Sequence, residues 1–166
     1  MSETELIPDA IILGERNYEA ALDMLIAAAT SELLIFDQNF LKGDYAGQKR
    51  FELLYDFLSG NPLSKLTVIL HDTQHFTNHC PKLFELLRLF GHKMTVYETN
   101  DAAKVAKDCF VVADKRHYLR RFHIDQARFK FAFDDDEMAA SLLMRFDELL
   151  EETASSSIMS SLGSLK

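Results

Sequence analysis

The sequence predicts an α/β fold: a mixed sheet with a parallel core and an antiparallel C-terminal hairpin, and helices on both faces. Three observations carry this. Short apolar runs at residues 32–36, 66–70 and 94–97 alternate with stretches whose apolar residues recur at helical spacing. Two further runs, 110–113 and 118–122, lie close enough to pair as a hairpin across residues 114–117. A last helical stripe, Met138, Leu142, Phe146 and Leu149, closes the domain. Strand–helix–strand alternation makes neighbouring strands parallel, and the hairpin adds antiparallel ones.

Each element has a local reason. Asn17 is placed to cap a helix over 17–30, with Tyr18, Ala21, Leu22, Leu25, Ile26 and Ala29 on one face. ELLIF then reads as a buried strand ending at Asp37. Asp44 is the expected cap of a second helix through Ser59, with Phe51, Leu54 and Leu58 inward and Gly60 and Pro62 as its stop. The strand over 66–70 exits at His71-Asp72. Pro81, tolerated in a first turn, opens a third helix that closes at Gly91, and the strand over 94–97 follows. A short helix over 101–107 leads to the hairpin, and a strand near 128–133 precedes the acids Asp134, Asp135 and Asp136, which suit a helix start. One domain over 1–152 is expected, with a Ser-rich tail over 153–166 in which Ile158, Leu162 and Leu165 offer weak docking points.

Composition narrows the function classes. Hydrophobic residues are 48% and charged residues 27% of the chain, which fits a globular protein and not a disordered one. The longest apolar stretch, 20–29, is broken by Asp23 and is far short of the ~20 residues a spanning helix needs. The N-terminus carries acids where a secretory signal carries Lys or Arg, so a cytoplasmic protein without membrane contact is expected. Cys80 and Cys109 form no CxxC pair, and Cys109, inside CFVVAD, reads as a small buried hydrophobe. No GxGxxG or P-loop is present, so neither a nucleotide site of that kind nor any cofactor is expected.

Charge is unevenly placed. The chain carries −8 overall, yet residues 115–130 hold six Lys or Arg (Lys115, Arg116, Arg120, Arg121, Arg128, Lys130) against one acid, Asp125. Such a band suits an anionic ligand or the acids of a partner protein. It equally suits a solvated edge strand whose charges block aggregation. Along a strand, Arg116 and Arg120 share one face and Arg121 takes the other. The acidic total disfavours nucleic acid, although a local basic groove is compatible with it.

Asp37, His71 and Asp72 sit where parallel strands end, the edge at which open α/β sheets hold ligands; polar residues there also serve loop backbone groups. His71, His75 and His79 recur every four residues and, with Asp72, would supply metal ligands if they shared one helical face. Asp72 or Thr73 reads equally well as a helix cap. His123-Ile124-Asp125 has no nucleophile beside it and reads as a loop.

From residue 17 to 152 the order of ELLIFD, TVILHD, LFELLRLFGHKMTVYE, FVVAD and the closing helix resembles a single phospholipase-D-like domain. It looks most like an uncharacterised bacterial branch whose relatives often carry an acetyltransferase domain upstream. None is expected here, so acetyl transfer is not carried over. The superfamily signature is His-x-Lys, four residues, then Asp, with Gly about seven residues later. Setting its Asp on Asp114 puts Lys107 at the His, Cys109 at the Lys and Arg121 near the Gly. In those enzymes the His attacks phosphorus; a lysine ammonium at neutral pH has no free lone pair for that step.

The resemblance therefore implies the fold and speaks against the chemistry. What it leaves is a non-catalytic binding or interaction module. Its anion-binding candidates are Lys107, Lys115, Arg116, Arg120 and Arg121, and its pocket candidates are Asp37, His71, Asp72 and Asp114. Single-domain members pair two copies, which makes a homodimer an expectation. The alternatives are a metal-assisted phosphodiester or related hydrolase built on His71, Asp72, His75 and His79 with Asp37 nearby, and a purely structural subunit. A Rossmann or receiver-type domain is the rival fold, separated from this one by the C-terminal hairpin.

Overall fold

The computed structural model describes residues 6–153. Its centre is a seven-stranded mixed sheet of β1 (Ile12–Leu13), β2 (Glu32–Asp37), β3 (Lys65–Leu70), β4 (Met94–Glu98), β5 (Cys109–Ala113), β6 (His117–His123) and β7 (Gln126–Ala132) in the order β1-β7-β6-β5-β2-β3-β4. Pairs β2–β3 and β3–β4 are parallel; β2–β5, β5–β6, β6–β7 and β7–β1 are antiparallel. The expected parallel core and antiparallel addition are both present.

Helices cover both faces. Helices α1 (Glu15–Ala28), α2 (Gln48–Gly60), α3 (Gln74–His79) and α4 (Pro81–Leu89) pack on one face, where Leu33 and Ile35 of β2 point. On the other face α5 (Asp136–Glu151) meets Leu34 and Phe36. Burial from both sides is why β2 reads as one apolar run instead of an alternation.

Several boundaries differ from expectation, each for a local reason. Helix α1 starts two residues early behind Gly14, and the Asn17 side chain donates back to the Leu13 carbonyl instead of capping. Asp44 does not cap α2. It adopts a positive φ in a turn closed by the Gly47 N–H on the Asp44 carbonyl, and α2 begins at Gln48. Residues 101–105 form a 3-10 turn and not an α-helix. Two short elements, β1 and α3, carry too few apolar residues to be read from sequence; α3 buries only Phe76. Asp135 caps α5 by accepting from the Met138 N–H. The tail over 154–166 lies outside the described residues, and no described helix is long and apolar enough to cross a membrane.

The β5–β6 hairpin turns on Asp114 and Lys115, both at positive φ, and the Arg116 N–H closes it on the Ala113 carbonyl. Two successive left-handed residues match the right-handed twist of the strands they join.

Candidate functional site

Polar depressions lie at both ends of β2. Where β2, β3 and β4 end, a polar pocket of about 610 Å³ is lined by Gln38 and Asn39, by His71, Asp72, Thr73 and Gln74, by Glu98, and by Lys104 and Lys107. The sheet order puts Lys107 beside the β2 exit and Glu98 at the far end, two strands away. A second depression of about 250 Å³ shares Asn39, Asp72 and Gln74 and adds His75 and His79. At the opposite edge a depression of about 270 Å³ is lined by Thr30, Ser31, Glu32, Asp114, Lys115 and Arg116.

His71 is buried and its ring is fully committed. Nε2 lies 2.8 Å from the Ala106 carbonyl, which only accepts, so Nε2 carries a proton. Nδ1 lies 2.7 Å from the Thr99 hydroxyl, which in turn receives Lys104 Nζ at 3.3 Å. Burial lowers the imidazole pKa, the Ala106 hydrogen bond works against that, and the charges of Lys104 and Lys107 lower it further. The neutral ring thus accepts from Thr99 and donates to Ala106. No lone pair faces the pocket.

Gln38 also serves the frame, its amide donating to the carbonyls of Ala106 (3.0 Å) and Asp108 (2.9 Å). The groups left to meet a ligand are Lys107, exposed and without a side-chain partner among the described residues, the Asn39 amide, and the carboxylates of Asp72 and Glu98. Glu98 Oε1 accepts from the Thr73 hydroxyl at 2.6 Å and the Thr73 N–H at 3.3 Å; Asp72 Oδ1 accepts from the Gln74 N–H at 2.8 Å. Each acid keeps its second oxygen.

Asp37 does not line the pocket. It is 1% exposed and turned inward, with Oδ2 accepting from the N–H groups of Phe40 (2.6 Å) and Asn39 (3.3 Å) while Oδ1 has no N–H or O–H donor. Burial raises its pKa, opposed by the Cys109 thiol beside it, by those two N–H groups and by the Arg121 charge. Burial and the neighbouring Asp37 push the Cys109 thiol well above its ordinary range, so it is an inert, small buried side chain.

Four of the band's six cations, Arg116, Arg120, Arg121 and Lys130, are held in intramolecular ion pairs, while Lys115 and Arg128 make none among the described residues. Arg121, 0% exposed, grips Glu15 through two contacts of 2.7 and 2.8 Å, donates to the Ile124 carbonyl at 2.8 Å and lies over the Tyr18 ring. Arg120 and Arg145 converge on Asp108, whose pKa burial would raise but whose two arginines hold it below the ordinary carboxylate range. Arg116 pairs with Asp134 at the surface. Lys107 and Lys115 lie at opposite ends of β5, so the five anion-binding candidates do not share a surface. Arg121 faces the α1 side and is closed to solvent.

The histidines separate in the same way. The rings of His75 and His79 stand 5.2 Å apart on α3, while His71 is tied to Thr99 and Ala106. Among the described residues no three His, Cys, Asp or Glu side chains gather as a metal group. Asp114, at the other edge, accepts from the N–H groups of Thr30, Ser31 and Glu32 and from the Thr30 hydroxyl at 2.7 to 3.3 Å. Burial would raise its pKa, but these donors bring it below the ordinary value.

Sequence reading missed Lys104 and Glu98 as pocket residues and the buried Arg50. Arg50 donates to the Gly43 carbonyl (2.7 Å) and pairs with Asp23. Gly43 sits at φ 93°, and a Cβ there would come within 2.8 Å of Leu22. The signal available for Glu98 was its place one residue beyond a predicted strand, the same logic that singled out Asp37 and His71.

A family model described as a domain of unknown function, DUF7931, matches residues 15–162. The chain belongs to the DUF7931 family. Its fold is shared with solved structures at low identity. TrmBL2, described as an archaeal chromatin protein with a novel mode of DNA binding, superposes with a TM-score of 0.64 at 12% identity over 89% of this chain and 53% of its own. This DUF7931 chain therefore spans about half of TrmBL2. Nuc, a phospholipase D family member from Salmonella typhimurium, gives 0.60 at 8% identity, covering 87% of this chain and 96% of Nuc. NucT from Helicobacter pylori gives 0.56 at 13%, with the same coverages. No curated protein matches this DUF7931 chain. The fold is phospholipase-D-like.

Proposed function

We propose that this DUF7931 chain is a non-catalytic phospholipase-D-like module that recognises a phosphate-bearing ligand in the pocket at the ends of β2, β3 and β4, with Lys107 as its anion contact. One observation carries the reading: the pocket has a free ammonium but no imidazole free to act as a nucleophile. The signature positions of the resembling enzymes fall on Lys107, an exposed rim cation, and on Cys109, a buried thiol with a raised pKa. The one imidazole in the pocket, His71, has both nitrogens hydrogen-bonded. Without the imidazole lone pair that attacks phosphorus in the resembling enzymes, a bound phosphoester is held and not cleaved.

Lys107 is favoured over the hairpin arginines because it is unpaired, whereas Arg116, Arg120 and Arg121 would each have to surrender a carboxylate to take up an anion.

Two measurements test this. Purified protein is expected to leave bis(4-nitrophenyl) phosphate intact; turnover that co-elutes with the protein through successive columns overturns the non-catalytic part. Glycerol 3-phosphate is expected to raise the melting temperature of the native chain and not of Lys107→Ala, since a ligand of the folded state stabilises it. An equal rise in both proteins removes Lys107 from the site.

A further inference from the structure

The pocket's charges are balanced, and that constrains its ligand further. Two cations, Lys104 and Lys107, and two acids, Asp72 and Glu98, line one cavity of about 610 Å³. A site evolved for a plain anion gains nothing from carboxylates on its wall, because each repels the ligand at short range. The acids are not explained by pairing within the protein: neither Asp72 nor Glu98 makes an ion pair among the described residues, and each uses one oxygen on a loop N–H while the other stays free.

The two signs are also separated in space. Lys107 precedes β5, next to β2, whereas Glu98 ends β4, and Asp72 follows β3 between them. Adjacent strands lie about 4.8 Å apart, so the free ammonium and the free carboxylates flank a span of small-molecule size. Lys104 makes no ion pair with Glu98 among the described residues; its ammonium is anchored on the Thr99 carbonyl at 2.7 Å.

We propose that the ligand is a phosphate ester that also carries a protonated amine, its phosphate at Lys107 and its ammonium between Asp72 and Glu98. This rests on the pocket reading above and narrows it to amino-phosphates. The amine gives specificity: hydroxyl analogues keep the Lys107 contact but leave two carboxylates facing a neutral group. The cavity admits ligands from phosphoethanolamine to an amino-sugar phosphate.

Calorimetry on matched pairs tests it. Phosphoethanolamine is compared with glycol phosphate, and glucosamine 6-phosphate with glucose 6-phosphate; each pair exchanges one ammonium for one hydroxyl. The amine-bearing member of at least one pair is expected to bind about tenfold tighter or more. Glu98→Gln retains the oxygen that accepts from Thr73, so the loop is kept, and it is expected to shrink that ratio severalfold by weakening the amine member and tightening the hydroxyl member, whose phosphate no longer meets that carboxylate's repulsion. Asp72→Asn gives the same readout from the other carboxylate. Equal affinities within both pairs, or a ratio untouched by both substitutions, overturn the amino-phosphate while the phosphate pocket stands. Absence of binding by all four probes, or binding that survives Lys107→Ala, overturns the pocket reading itself.

Discussion

Asp37 ends β2 on the pocket side and Asp114 braces its start on the other, and although burial pushes both carboxylates the same way, their pKa values shift in opposite directions. Asp114 receives three backbone N–H groups and a hydroxyl, and its pKa falls. Asp37 is more deeply buried, receives two N–H groups on one oxygen and a weak thiol donor, and its pKa rises. Donor count against desolvation decides the sign. Asp114 ties the hairpin turn to the start of β2, so its loss would damage the fold.

The strongest way to disturb the comparison is through Arg121, whose charge restrains Asp37. Arg121→Ala removes the buried guanidinium over Tyr18 and leaves the Ile124 carbonyl without its donor. A loss of about 4 kcal/mol in urea unfolding is expected, and a loss below about 1 kcal/mol would show that the Glu15–Arg121 pair does not hold α1 to the sheet. Next comes Asp114→Ala, which strips three backbone N–H groups of their acceptor and puts a Cβ-bearing apolar residue at φ 55°; about 3 kcal/mol is expected, with Asp114→Asn losing roughly half of that.

Asp37→Asn has the opposite sign. The raised folded pKa means that the native state binds this proton more readily than the unfolded chain does, so the native protein loses stability as pH rises from the unfolded aspartate value, about 3.9, through the folded one. The variant is therefore expected to gain about 1 kcal/mol at neutral pH, with the gain vanishing in acid. Asp114 and Asp108 behave inversely: their lowered pKa values contribute stability that is present above about pH 4 and lost as pH falls through the folded values. A Tm profile of Asp114→Asn that is as acid-sensitive as the native one would break this assignment. The smallest effect is at Lys107→Ala, where unfolding is expected to stay within about 0.5 kcal/mol of native while phosphate-ester binding is lost.

Much of the scaffold was legible because its signals are local. The apolar runs of β2 and β3, Pro81 opening α4 and the acids before α5 all declare themselves within a few residues. Cys109 as a small buried side chain followed from its neighbours alone. The basic band was legible as composition and misleading as a surface, because whether a cation is free depends on partners that are remote in sequence: Glu15 lies 106 positions from Arg121, and Arg145 reaches Asp108 across 37. The histidine repeat failed for a related reason. A spacing of four positions gathers side chains only on a continuous helix, and α3 begins after His71.

The sequence by itself determined the alternation of strands and helices and the two-sided burial of the sheet, since both depend on residue type and short-range periodicity. Only the tertiary structure decided which charges are consumed and which remain. Ion pairing and desolvation act through space, and it is the packing of α1 and α5 on opposite faces that shuts Arg121 and Asp108 away while leaving Lys107, Asp72 and Glu98 around one open pocket.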